Sequence, residues 1–489
     1  MSASRTVGDT GLAQRLAGAA NRVALPVVLV VMAGLLAAVA FEAMRYGFWR
    51  HDAIRYVSSF ENGLIYDSRW VLYLLFPLLK LVPPFVAWAL CFGLTGLFFH
   101  LIARQLGFDR SEAAAIAMVL SASTGFIAQL HWPAITLPGA IVLLFAYWLS
   151  RRVGALATLT IASILSFAVI QSFVYVLPLL YVDRMVSGSW RDRLVWTLKI
   201  LAYWALAFVL AYAVSQAIVY LLSGDVMQIH DWRQPHKADS LPALMENIDR
   251  NVDFLDGHIR SLFPAGWLAL AAFVAIFAAF LRPGATPRSL LALGLVCLTG
   301  AAIGIAHYVL TLPIGIIVQL RTVWPLYVGG AVMFLSLACI APKRLVVVAA
   351  ALTIGIPSLL SDYEITHWFR LQTQARLEVF RQAMPKPGNA YTAAFVDVRD
   401  FDAFEAVVNR VAPDWPPQIE PLSLPLRLAP ALMELGVANV YICTQAALDL
   451  GYCELLVETP DMNDCSDQQG QVCVLKETQN GQLLLKIRG

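Results

Sequence analysis

Apolar runs of about 20 residues recur along most of this chain, and Lys and Arg collect in the short stretches between them. A run of that length crosses a bilayer core as one helix, and lipid tolerates only helices and closed barrels. The pattern therefore predicts a polytopic α-helical membrane protein. Composition agrees, with only 14% charged residues and 59% hydrophobic ones, where a soluble domain carries about 25% charged. The net charge of +2 is uninformative because its sign is sorted along the chain. No basic tract supports nucleic-acid binding.

Orienting the runs by their basic flanks predicts about 11 transmembrane helices, with the N-terminus cytoplasmic and the C-terminus outside. Residues 1–22 form a cytoplasmic lead, 23–361 a membrane domain with outer loops 44–84 and 223–261, and 362–489 a soluble extracytoplasmic domain. Arg151–Arg152, Arg184 and Lys343–Arg344 mark the cytoplasmic face. The charge-free stretch 153–182 has arginines at both ends, so it reads as two short helices meeting near Gln171–Ser172 at the outer face. Residues 70–84, broken by Pro77 and Lys80, read as a helix lying in the interface.

The C-terminal segment alternates strand-like runs with helix candidates, as an α/β or α+β domain does. It holds Cys443, Cys453, Cys465 and Cys473. Four cysteines in an extracytoplasmic domain fit two disulfides in any of three pairings; without a CxxC, a zinc site is the lesser reading.

The first outer loop concentrates charge, with Asp52, Glu61 and Asp67 interleaved with Arg50, His51, Arg55 and Arg69. A carboxylate beside cations stays ionised, as a general base must; the plain alternative is a solvated loop pairing its own charges. This loop, the interfacial helix, the paired short helices with polar Gln171 at their tip, and the outer C-terminal domain together resemble the GT-C glycosyltransferases. Within them, Asp52 followed by Arg55, then Asp67–Ser68–Arg69–Trp70, is similar to the first loop of the membrane glucosyltransferases that modify bacterial O-antigen. One acid of that family's acidic pair is replaced here by His51.

The resemblance implies an inverting enzyme of the bacterial inner membrane. It would move a hexose from a polyprenyl-phosphate donor to a cell-envelope glycan or glycolipid, such as the O-antigen of lipopolysaccharide, at the periplasmic face. Asp52 is the expected base and Asp67 its alternative. Arg55, Arg69 and Arg321 are expected at the donor phosphate, and His51, His131, Gln171 and His307 are cavity or acceptor candidates. No cofactor or divalent metal is indicated; His230, Asp231, His236 and Asp239 are irregularly spaced for ligands. The partners are donor, acceptor and membrane lipid. The rival readings are an O-antigen polymerase or ligase, and a lipid or solute transporter. A transporter would show midplane charges and internal repeats, neither of which the sequence offers.

Overall fold

A computed structural model describes residues 9–46, 65, 67–79, 81–130, 132–227, 234–281, 285–384, 391–408, 428, 432–433, 435–445, 453 and 472–487, with backbone alone at 9–22, 46, 369, 372–373 and 376. The chain divides into two units, residues 1–39 with 61–363 and residues 40–60 with 364–489.

Six helical stretches among the described residues are long and apolar enough to cross a membrane: Val23–Arg45, Pro84–Gln105, Pro133–Ser150, Trp190–Ser223, Pro287–Thr311 and Lys343–Trp368. The pair Leu241–Leu262 and Gly266–Leu281, bent by 82°, makes a seventh if taken as one span. The protein is thus a membrane-embedded, polytopic helical protein. Shorter apolar helices cover Trp70–Leu79, Ala155–Val169 and Trp324–Cys339.

In chain order the first unit takes α1 (Asp9–Tyr46) up to its division at residue 39, then α2 (Trp70–Leu79) and α3 (Pro84–Gln105). The apolar run 111–130, by length and hydropathy the third of the expected spans, is two helices, α4 (Arg110–Ser121) and α5 (Thr124–Gln129). Hydropathy hides the break, because Ala122 and Ser123 are small; the Ser123 hydroxyl accepts the Phe126 N–H (3.4 Å) and starts a new helix. After α6 (Pro133–Ser150), residues 153–182 break at extended Ile170 into α7 (Ala155–Val169) and a 3-10 helix, Gln171–Tyr181. Short α8 (Val182–Val186) follows, then α9 (Trp190–Ser223), which opens on a Ser189–Asp192 capping box and ends at Gly224.

Next come α10 (Leu241–Leu262), α11 (Gly266–Leu281), α12 (Pro287–Thr311), a 3-10 turn at Leu320–Thr322 and α13 (Trp324–Leu335). Finally, α14 (Lys343–Ala350) passes through a π turn, Ala351–Gly355, into α15 (Ile356–Ala383). Gly300 and Gly304 on α12 face Gly329 on α13 so closely that a Cβ on Gly300 would stand 2.7 Å from the Gly329 carbonyl. Such small-residue seams pack helices where lipid supplies no hydrophobic drive. One end of these helices is basic: Lys343 Nζ donates to the Leu106 and Gly107 carbonyls (2.9 Å each), and Arg193 Nη1 to the Arg288 carbonyl (2.7 Å).

The second unit has a four-stranded sheet of order β2-β1-β4-β3, from β1 (Ala393–Asp397), β2 (Val440–Cys443), β3 (Val472–Glu477) and β4 (Gln482–Ile487). β1 lies parallel to β2 and β4, and β3 and β4 form an antiparallel hairpin. Leu377, Phe380 and Met384 of the α15 end pack with Val396, Leu485 and Phe404 of α16 (Phe401–Val408). Buried Glu42 receives Arg370 Nε at 2.5 Å, with His367 Nδ1 3.3 Å away. The strand-like run at 453–458 falls almost wholly outside the described residues.

Cys443 and Cys453 form a disulfide; Cys473 is also disulfide-bonded, and Cys465 lies outside the described residues. The Cys443–Cys453 bond closes a loop of sequence separation 10, short enough that chain entropy accounts for about 2–3 kcal/mol. A Cys443→Ser, Cys453→Ser double variant should lose about that much in denaturant unfolding of the second unit. An unchanged transition would mean that the link constrains little.

Candidate functional site

The site is built where helices break. Asp67 and Ser68 form a tight turn, and Ser68 N–H donates to the Ile65 carbonyl (2.8 Å). Ser68 has φ +67°, a left-handed conformation that costs a non-glycine residue energy. It is fully buried, and its hydroxyl has no hydrogen-bond partner among the described residues. The turn sets the Arg69 guanidinium 3.8 Å from the Asp67 carboxylate and delivers the chain into α2. Leu72 and Phe76 of α2 then pack on Trp132 and Ile135.

Trp132 is the hub. Its ring lies under the Arg321 guanidinium, 4.3 Å from centroid to Cζ. Such a cation–π contact steadies a guanidinium, a group suited to bidentate phosphate recognition. Arg321 is placed by the 3-10 turn at 320–322. Gly125 of α5 lets that turn approach, since a Cβ there would meet the Leu320 carbonyl at 2.7 Å. The adjacent Thr322 hydroxyl lies 3.4 Å from His307 Nε2, and His307 Nδ1 lies 3.0 Å from the Tyr175 hydroxyl.

The break at Ile170 closes another side. Ser172 Oγ donates to Gln129 Oε1 (3.1 Å), and the buried Gln129 Nε2 has no partner among the described residues. Gln171 points its amide toward Met227 Sδ at 4.0 Å. Phe126 and Phe173 pack tilted and edge-on against Trp324 behind, each ring centroid 5.3 Å from that of the tryptophan.

Of the residues expected from sequence, Gln171, His307 and Arg321 therefore come to one end of the helices. Asp67 and Arg69 precede the helix that packs there. Asp52, Arg55, His51, Glu61, His131, His230 and Asp231 lie outside the described residues. Sequence reasoning missed Gln129 and Ser172. A Gln closing an otherwise apolar run was the available signal.

The stretch 223–261, expected to be a loop, requires a correction. It was read as a polar loop, but most of its second half is the 22-residue helix α10. The misreading came from its many charges: Glu246, Asp249, Arg250, Asp253, Asp256 and Arg260 lie on one side, while Leu244, Asn247, Ile248, Asn251, Leu255 and His258 recur every three or four residues on the other. With that charge, α10 is not among the helices apolar enough to cross a membrane by themselves. Asn247 Nδ2 donates to the Leu312 and His236 carbonyls (3.0 and 2.7 Å), and Asn251 Nδ2 to the Tyr308 carbonyl (3.2 Å). These two side chains satisfy carbonyls left open where α12 ends. His236, once grouped with metal-ligand candidates, bonds Asn247 Oδ1 (3.1 Å). No cluster of three or more potential ligands occurs among the described residues.

His258 Nδ1 lies 2.8 Å from the Tyr308 hydroxyl, and burial pushes its pKa from the ordinary 6.5 down to about 4. The folded protein keeps this imidazole neutral while the unfolded chain protonates it. Stability is therefore fully present above pH 6.5 and declines as pH falls from 6.5 toward 4. A His258→Gln variant should lack a component of about 2–3 kcal/mol at most from that decline, read as melting temperature against pH. Parallel profiles for both proteins would remove His258 from the account.

Searches against family models, curated proteins and solved structures return no match to this chain.

Proposed function

We propose that this protein is a GT-C-like inverting glycosyltransferase, taking a sugar from a polyprenyl phosphate and passing it to a cell-envelope glycan. The observation that carries the reading is Arg321 over the Trp132 ring among broken helix ends, with Gln129, Ser172 and His307 on neighbouring elements. Irregular backbone inside a membrane protein is tolerated where it faces protein or a water-filled cavity, so helix breaks mark a site where polar substrates are handled. Arginine and an aromatic ring suit a lipid phosphate and a sugar face.

The reading takes the basic helix ends as cytoplasmic and sets about 11 crossings, with the second unit periplasmic. A disulfide-bonded unit accords with an oxidising compartment. In the reaction, an acceptor hydroxyl attacks the anomeric carbon and the bond from that carbon to the phosphate oxygen breaks. Polyprenyl phosphate departs as the anion, stabilised by Arg69 and Arg321. The hydroxyl proton passes to the Asp52 carboxylate, so the step is balanced without metal or nucleotide.

The test is incubation of purified protein with polyprenyl-phosphate sugars and glycan acceptors, followed by mass spectrometry. A sugar-mass increment on the acceptor, lost in Arg321→Ala, supports the reading. No increment with any donor, alongside uptake of solute or lipid by proteoliposomes, favours the transporter alternative.

A further inference from the structure

At the basic end of the first unit, away from Trp132, lies a cavity of about 410 Å³. That volume is within the range of small-ligand pockets, about 300–1,000 Å³. Most of its lining is apolar, including Phe99, Ile102, Leu120, Leu179, Val296 and Val332. Three cations share the lining, Arg193, Arg288 and Lys343, at the starts of α9, α12 and α14. None pairs with a carboxylate among the described residues. The nearest candidate in sequence, Asp192, is taken by Ser189 in the capping box.

Arg193 adds a second observation. Its Nη1 is bound to the Arg288 carbonyl, but its Nε is buried with no hydrogen-bond partner among the described residues. A buried guanidinium N–H without an acceptor is costly. Three helix N-termini beside it add positive potential. The combination of apolar walls and uncompensated cations, in a protein embedded in lipid, fits an amphiphile with an anionic head. A free phosphate or nucleotide would leave the apolar walls unused. A zwitterionic lipid would bring its own cation to a place that already has three.

We propose that this cavity holds one acyl chain of an anionic phospholipid drawn from the surrounding bilayer, with its phosphate between Arg193, Arg288 and Lys343. The site is separate from the proposed transfer site and does not depend on that activity.

The experiment is native mass spectrometry of the full chain released from detergent after exposure to equal amounts of phosphatidylglycerol and phosphatidylcholine. The wild type should retain phosphatidylglycerol preferentially, by roughly tenfold or more, the scale expected for two or three cations acting on one headgroup. Arg193→Gln with Arg288→Gln should abolish that preference. Ala292→Phe, which fills the cavity and leaves every cation, should also lower retention by roughly tenfold. Equal retention of the two lipids by the wild type overturns the proposal. So does an Ala292→Phe protein that keeps wild-type retention, since the headgroup would then be bound at the surface alone. Effective competition by glycerol phosphate, which has no chain, counts the same way. Each variant is compared at matched elution volume and melting temperature; if Ala292→Phe melts early, Val296→Phe takes its place.

Discussion

On the proposed reading, Asp52→Asn should leave the protein inserted and able to bind lipid donor but lower glycosyl transfer by about two to four orders of magnitude. The amide keeps the size of the carboxylate and most of its hydrogen-bonding capacity, yet it cannot accept the acceptor's proton. Asp67→Asn is the comparison. Asp67 stands 3.8 Å from the Arg69 guanidinium, so its loss should disturb that arginine and slow transfer less than the loss of the base. Arg69→Ala should weaken donor binding and turnover together, because a phosphate contact acts in both ground and transition states. Transfer rates at saturating and limiting donor separate these cases. An inactive Asp67→Asn beside a near-normal Asp52→Asn would move the base to Asp67, and full activity in both would remove the first loop from the reaction.

The second large effect is on stability. Gly329→Leu places side-chain atoms where the Gly300 carbonyl and the Gly304 backbone already stand, and a backbone neighbour cannot swing aside as a side chain can. The helices α12 and α13 must separate, and every contact along their seam loosens. We expect a loss of about 4 kcal/mol or more, in the range reserved for severe overpacking, read as thermal unfolding in detergent. Gly294→Leu, on the partner helix α12, is the control, since nothing lies within 4 Å of a Cβ at that position. Equal melting of the two variants would show that the seam is not close-packed.

Much of the membrane architecture was legible because it rests on one-dimensional signals. Length and hydropathy mark helices such as Pro84–Gln105 and Pro287–Thr311, and the conflict between Arg151–Arg152 and Arg184 pointed to a break at the place where Ile170 is extended. The break at Ala122–Ser123 was not legible, since small residues continue a hydropathy plateau and only the cap reveals the new start. The polar pairs were also out of reach. Gln129 with Ser172 and His258 with Tyr308 join residues 43 and 50 positions apart, and no local pattern specifies such partners. The left-handed Ser68 was hidden for a different reason: serine gives no notice of positive φ as glycine or asparagine does. The α10 misreading is the instructive case, because counting charges concealed a periodicity that the same residues carried.

The 3-10 helix at Gln171–Tyr181 has a consequence for the lipid beside it. Eleven residues are long for this conformation. At about 2.0 Å per residue they reach about 22 Å, where an α-helix of the same length would reach about 16 Å. The fifteen residues of α7 rise by about the same distance, so the descending arm matches the ascending one with four fewer residues. Both fall short of a hydrocarbon core about 30 Å thick. Residues 172–181 are buried by neighbouring helices. α7, by contrast, exposes Leu156 and Ile161. A flank this short beside a hydrocarbon core about 30 Å thick should make acyl chains shorten or tilt along it, and lipid order measured next to α7 would check this.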